Sequence, residues 1–190
     1  MLRKSCLITV ALGAFAVDPG ASAQAQTVRV ENGARFGSWT VSCEAVAVNE
    51  TLCVLSQRLV RSDTGAALAE LIAFNADDAP GAWLVARVPN GVFFPSGFVM
   101  AQQDSDTQFD LEWQACSPDM CEALIALDGD VLDQMASSDD WAAGYRPDMA
   151  SDSVVFRIGL DGLETGLAAL ADVLGQPGPR GGTDSGDAPE

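Results

Sequence analysis

The chain is 190 residues long and 48% hydrophobic, with 10 Lys+Arg against 27 Asp+Glu, no histidine and a formal net charge of −17. That balance excludes nucleic acid as a partner and disfavours other polyanions and anionic lipid, because such binding rests on basic groups that neutralise phosphates. Without histidine there is no Ser-His or Cys-His nucleophile, and Lys4 is the only lysine, so a Ser-Lys dyad is excluded beyond the first residues.

Arg3 and Lys4, the apolar run 7–17 and the small residues Ala21-Ser22-Ala23 predict a signal peptide over residues 1–23, cleaved after Ala23. The apolar run is about half the ~20 residues of a membrane span. The chain is therefore expected to be periplasmic or secreted and not an integral membrane protein. Loss of Arg3, Lys4 and Asp18 takes Lys+Arg from 10 to 8 and Asp+Glu from 27 to 26, which leaves a mature charge of −18. Cys6 is discarded with the signal. Residues 24–34 make a short N-terminal arm, residues 35–174 one domain with room for a sizeable core, and residues 175–190 a disordered acidic tail rich in Gly and Pro.

In Phe36-Gly37-Ser38-Trp39-Thr40-Val41-Ser42-Cys43, Trp39, Val41 and Cys43 fall on one face and Ser38, Thr40 and Ser42 on the other. This is the period of a half-buried strand, with Trp39 as a core anchor beside a cysteine. Residues 44–52 read as a loop that holds the acceptor tripeptide Asn49-Glu50-Thr51. Cys53-Val54-Leu55-Ser56-Gln57-Arg58-Leu59-Val60 returns as a second strand, and Ser62-Asp63-Thr64-Gly65 turns into a third over residues 68–74, giving a meander. After the loop Asp77-Asp78-Ala79-Pro80-Gly81, residues 83–88 form a fourth strand, broken by Pro89-Asn90-Gly91.

Gly91-Val92-Phe93-Phe94-Pro95-Ser96-Gly97 is apolar but bracketed by residues that disfavour regular pairing, and reads as a buried crossing or an edge segment. Residues 98–102 resume as a strand. Phe109, Leu111, Trp113 and Ala115 then alternate with Asp110, Glu112 and Gln114, so that the polar face meets water. Ala123, Ile125 and Leu127 continue as the partner strand. Asp128 can cap a short helix carrying Val131, Leu132 and Met135. Residues 153–160 make a further strand, after which Leu163, Leu167, Leu170 and Leu174 recur at helical spacing behind a capping box of Asp161 and Glu164. About eight short runs at roughly ten-residue spacing predict a mainly β fold, an antiparallel β-sandwich with a C-terminal helix.

Four cysteines follow the signal, and an even number in an exported chain argues for two disulfides. Of the three possible pairings, Cys43–Cys53 and Cys116–Cys121 are favoured, since each pair sits at the facing ends of two strand-like runs. Each bridge contributes on the order of 2–3 kcal/mol by the loop-entropy estimate. The spacings fit zinc poorly in a chain without histidine.

Other chemical readings compete with plainer ones. Asp63-Thr64-Gly65 matches the tripeptide of aspartic proteases, but Arg61 and Ser62 precede it in place of an apolar strand and no second copy exists, which favours a turn. Asp110 and Glu112 are a carboxylate pair of the kind glycosidases use, yet an exposed sheet face is the stronger reading. Asp128-Gly129-Asp130 with Asp133 is rich in oxygen but lacks the spacing of a calcium loop. No catalytic residue, metal or cofactor is expected. Phe93 and Phe94 cannot both face inward in a regular strand, so one of them can belong to a contact surface. The competing reading is a twisted crossing that buries both.

Taken in order, the run from Phe36 to Cys43, Cys53-Val54-Leu55-Ser56-Gln57, Val88-Pro89-Asn90 with the Gly91 to Gly97 run, Cys116 and Cys121 with Glu122-Ala123, and Gly159-Leu160-Asp161-Gly162-Leu163 resemble the invasion-associated locus B (IalB) proteins. Met120 stands where the resemblance leads one to expect glycine. The resemblance implies an exported envelope protein with a β-sandwich fold, in a family named for host-cell invasion, and implies no catalytic chemistry. The expected role is a non-catalytic binding module that contacts an envelope or extracellular protein through Trp39, Phe93 and Phe94. The alternative is a carboxylate-based hydrolase acting on envelope or extracellular glycans.

Overall fold

The computed structural model describes residues 30–48, 50–76 and 81–174. The expected signal peptide, most of the expected N-terminal arm, the expected acidic tail, Asn49 and residues 77–80 of the expected loop lie outside the described residues. Ten strands pair antiparallel in one continuous order: β1 (Arg35–Phe36), β2 (Trp39–Ala47), β3 (Glu50–Val60), β4 (Ala67–Asn75), β5 (Ala82–Pro89), β8 (Met120–Leu127), β7 (Gln108–Cys116), β6 (Phe98–Gln102), β9 (Trp141–Tyr145) and β10 (Val154–Ile158). The hinge of this arrangement is β7. Its first half, up to Leu111, pairs with β6, while Glu112 to Cys116 pairs with β8 across a register shift between Trp113 and Ala115. The sheet is thereby folded into a six-strand layer and a shorter one around a common core, as the alternating strands predict.

The inward faces supply that core. Trp39, Val41, Leu55, Leu71, Leu84 and Val88 meet Phe98, Met100, Leu111, Trp141, Phe156 and Ile158, all of them buried. Phe109 stacks on Trp141 with ring centroids 5.6 Å apart, and Phe98 meets Trp113 edge to face at 6.4 Å, an arrangement that suits the aromatic quadrupole. The second layer is too short to cover β1 to β4. The helix α2 (Leu163–Leu174) does so, burying Leu163, Leu167 and Leu170, and Asn75 Nδ2 donates to the Leu167 carbonyl at 2.9 Å. A shorter helix, α1 (Gly129–Ala136), begins where the Asp128 carboxylate accepts from the Val131 N–H at 2.9 Å, the expected cap.

Three local expectations need correction. Residues 36–43 are not one strand: Phe36 pairs back onto Trp39, so Gly37 and Ser38 form a two-residue turn with Gly37 at φ 54°. Residues 44–52 are not a loop but the continuation of β2 and β3 into a projecting hairpin, paired out to Ala47 and Glu50. The capping box of Asp161 and Glu164 is not formed, because Asp161 turns its carboxylate to the Ser38 hydroxyl. Strand β9 has no counterpart among the sequence predictions. Met120, by contrast, needs no glycine: among the described residues Asp104 alone combines a side chain with positive φ.

Candidate functional site

The segment after β10 returns to the start of the sheet and closes it through side chains rather than a strand ladder. Gln57, 8% exposed, donates from Nε2 to the carbonyls of Ser38 (3.2 Å) and Gly159 (2.9 Å) and accepts from the Gly159 N–H at 3.2 Å. The Ser38 N–H donates to the Asp161 carbonyl at 3.3 Å, and the Ser38 hydroxyl to the Asp161 carboxylate. Gly162, at φ 80°, lies so close to the backbone of Phe36 and Gly37 that a Cβ there would overlap it. This seam gathers residues from three of the stretches that carry the family resemblance. The polar groups named here find partners within the chain, while the Trp39 Nε1 beside them is buried with no hydrogen-bond partner among the described residues.

Trp39 sits at the start of β2, fully buried. It is the core anchor that its alternation predicts and cannot serve as part of a contact surface, which corrects that part of the expected site. Phe93 and Phe94 lie on the crossing from β5 in one layer to β6 in the other, where Pro95 sits in a single 3₁₀ turn (Phe94–Ser96) and the Phe93 N–H donates to the Arg146 carbonyl at 2.7 Å. Phe93 is half-buried and Phe94 is 51% exposed. Phe94 leans on Trp113, with ring centroids 6.2 Å apart, and with Pro95, Gly97, Asp110 and Glu112 lines a shallow depression of about 510 Å³. The crossing thus leaves an aromatic ledge at the surface. Trp113 belongs to that ledge and was missed, since strict alternation places it with the inward residues of β7.

The acidic candidates take the plainer roles. Asp110 and Glu112 are exposed and leave β7 on the same side. Asp63 lies in the turn between β3 and β4, where Arg61 Nη2 approaches its carboxylate at 3.0 Å and Gly65 takes φ 71°. The hydrogen bond from that guanidinium holds the Asp63 carboxyl down at about 2. Asp128 is occupied in capping α1. Both cysteine pairs are bridged and sit directly opposite one another in their hairpins, with Cα atoms 4.1 and 4.0 Å apart.

Two further surfaces were not anticipated. Val46, Val48 and Leu52 stand 53%, 92% and 48% exposed on the hairpin beyond the Cys43–Cys53 bridge. The apolar content of residues 44–52 was the available signal. Beside that hairpin, the outer face of β2 to β5 carries Val54, Ile72, Phe74 and Trp83 along an open groove of about 820 Å³, with Arg58, Glu70 and Arg87 at one side.

Fold and bonding define the class: an antiparallel β-sandwich, stapled by two hairpin disulfides and closed by a C-terminal helix. The family model described as Invasion associated locus B (IalB) protein matches residues 39–171, and the chain belongs to that family. It is also similar to the crystal structure of invasion associated protein b from Bartonella henselae, at 12% sequence identity and a TM-score of 0.61, over 74% of this chain and 95% of that one. At that identity the likeness speaks for the fold alone. A search of the curated proteins found no match. Disulfides and family together point outside the cytoplasm. Among the described residues no helix is long and apolar enough to cross a membrane.

Proposed function

We propose that the protein is a periplasmic or secreted, non-catalytic binding module that uses the aromatic ledge of Phe94 and Trp113, backed by Phe93, to contact an envelope or extracellular protein. The observation that carries this reading is Phe94 itself, an aromatic ring 51% exposed on the Pro95-bearing crossing of an otherwise acidic chain. Large aromatic anchors in shallow pockets supply much of the affinity in protein interfaces. Host-cell association, the property in the family's name, would follow through that partner; the acidic surface disfavours direct adhesion to anionic host surfaces.

A glycan hydrolase is the alternative, and it has one observation in its favour: Asp110 and Glu112 border the same depression as the ledge. Glycosidases hold their carboxylates on opposite sides of the scissile bond. These two leave one strand in one direction, and the other side of the depression, formed by Phe94 to Gly97, carries no carboxylate, which favours binding over cleavage.

The test is crosslinking in intact cells followed by mass spectrometry of the captured proteins, comparing the natural chain with Phe94→Asp. One envelope or extracellular protein captured by the natural chain and lost in the variant is the expected result. Equal capture by both, or release of reducing sugar from envelope glycans by the purified protein, would overturn the reading.

A further inference from the structure

Strand register arranges the outer face of the larger layer in levels that cross β3, β4, β5 and β8. One level reads Arg58, Glu70, Arg87, Glu122. Arg58 approaches Glu70 at 3.6 Å and Arg87 approaches Glu122 at 2.7 Å. The next level reads Ser56, Ile72, Val85, Leu124. The one beyond is built on Phe74 and Trp83, paired across β4 and β5, with Ala126 on β8. These side chains are half-buried or exposed, and no other part of the described chain covers them.

We propose that this face docks a second copy of the chain, sheet on sheet, about a two-fold axis that runs along the strands between β4 and β5. Rotation about that axis lays β4 of one copy on β5 of the other and β3 on β8, level for level. Glu70 then meets Arg87 of the second copy, and Arg58 meets its Glu122. A row of alternating sign and even length is antisymmetric about its midpoint, so every charge in it faces its opposite. The same rotation sets Ile72 against Val85 and Phe74 against Trp83, which places apolar on apolar and ring on ring.

The charge order also selects the axis. A two-fold running across the strands along this level would press each charged residue against its own counterpart, Arg58 on Arg58 and Glu70 on Glu70. Like charges in a desolvated contact cost several kcal/mol, so the row specifies one docking and opposes the other. Aligned stacking of two sheets is an established packing mode, and isologous two-fold contacts are the commonest route to dimers. Four strands about 4.8 Å apart and three levels about 7 Å apart give a patch of roughly 400 Å² in projection. That falls below the roughly 600–1,000 Å² per partner of a standard specific interface and in the range of weak, transient contacts, which fits a reversible dimer. The face is separate from the Phe94 ledge, so the two contacts can be made and lost independently.

The test is charge-swap complementation, read as mass by sedimentation equilibrium from low micromolar to sub-millimolar protein. The natural mature chain should dimerise. Glu70→Arg alone and Arg87→Glu alone should each raise the dissociation constant at least about tenfold, since each places like charges at the centre of the contact. An equimolar mixture of the two variants restores opposite charges at every position of the row, and should dimerise again. Because each variant keeps its own fold in the mixture, recovery cannot come from folding. A natural chain that stays monomeric throughout, single variants that dimerise as it does, or a mixture that fails to recover would each overturn the proposal.

Discussion

The seam that closes the sheet and the outer face of its larger layer use their polar groups in opposite ways. At the seam, Gln57 answers three backbone groups at once, and Ser38 and Asp161 answer each other. On the outer face, charges alternate in a row beside apolar side chains that no other described part of the chain covers. Three of the stretches of the family resemblance meet at the seam, whereas the outer row is drawn from β3, β4, β5 and β8, and of its four charged residues only Glu122 belongs to a stretch of the resemblance. Part of the family signature thus tells how the sheet is closed, another part carries the exposed Phe94 on its crossing, and the outer row lies almost wholly outside the signature.

The sharpest way to break that contrast is at Trp39, the resemblance residue that also looked like a contact. Trp39→Ala should cost about 4 kcal/mol in chemical denaturation, the scale of emptying a buried aromatic site, with no loss of partner capture once stability is restored by lower temperature. Loss of capture at unchanged stability would move Trp39 from the seam side of the comparison to the surface side. Gln57→Ala comes next. It strands the Gly159 amide and two carbonyls in a part-buried seam, and about 2–3 kcal/mol should disappear from the unfolding free energy, while the dimer measured on folded protein is unchanged.

On the surface side, Phe94→Asp should shift the unfolding midpoint little, because the ring is 51% exposed, even though it removes the captured partner. The smallest effect belongs to Asp63. Its carboxyl is held at about 2 instead of the ordinary 3.8 by the hydrogen bond from Arg61. A depressed carboxylate adds stability that is fully present above about pH 4 and is lost as pH falls through 2. The turn is fully exposed, so only a slight flattening of the acid limb is expected in Asp63→Asn, followed by thermal melts between pH 4 and pH 2.

Local patterns were legible wherever polar and apolar residues alternate. Asp110, Glu112 and Gln114 do point outward from β7, Asp128 does cap α1, and both cysteine pairings follow from strands that face each other. Strand β9 was invisible for a physical reason: Trp141-Ala142-Ala143-Gly144-Tyr145 contains no polar residue to mark its outer side, and Ala and Gly are weak strand formers. The projecting hairpin was hidden because acid and small residues in 44–52 resemble a loop. What sequence could not show was the order in which hairpins lie side by side. The pairing of β5 with β8 joins residues far apart in the chain, and the outer charge row exists only once that pairing has been made. The ledge was half legible: adjacent phenylalanines could not both turn inward, but the ring they would leave exposed and the tryptophan beneath it depended on the crossing's path.

Both disulfides close loops within one hairpin, across separations of only 10 and 5 residues. Closing so short a loop needs no other part of the domain in place, because the entropic cost of bringing the ends together is small and local. An oxidant that meets the chain segment by segment finds Cys43 and Cys53 as neighbours before Cys116 has emerged. Correct bonding therefore asks for no long-range contact: each bridge can close inside its own hairpin whether or not β5 has met β8.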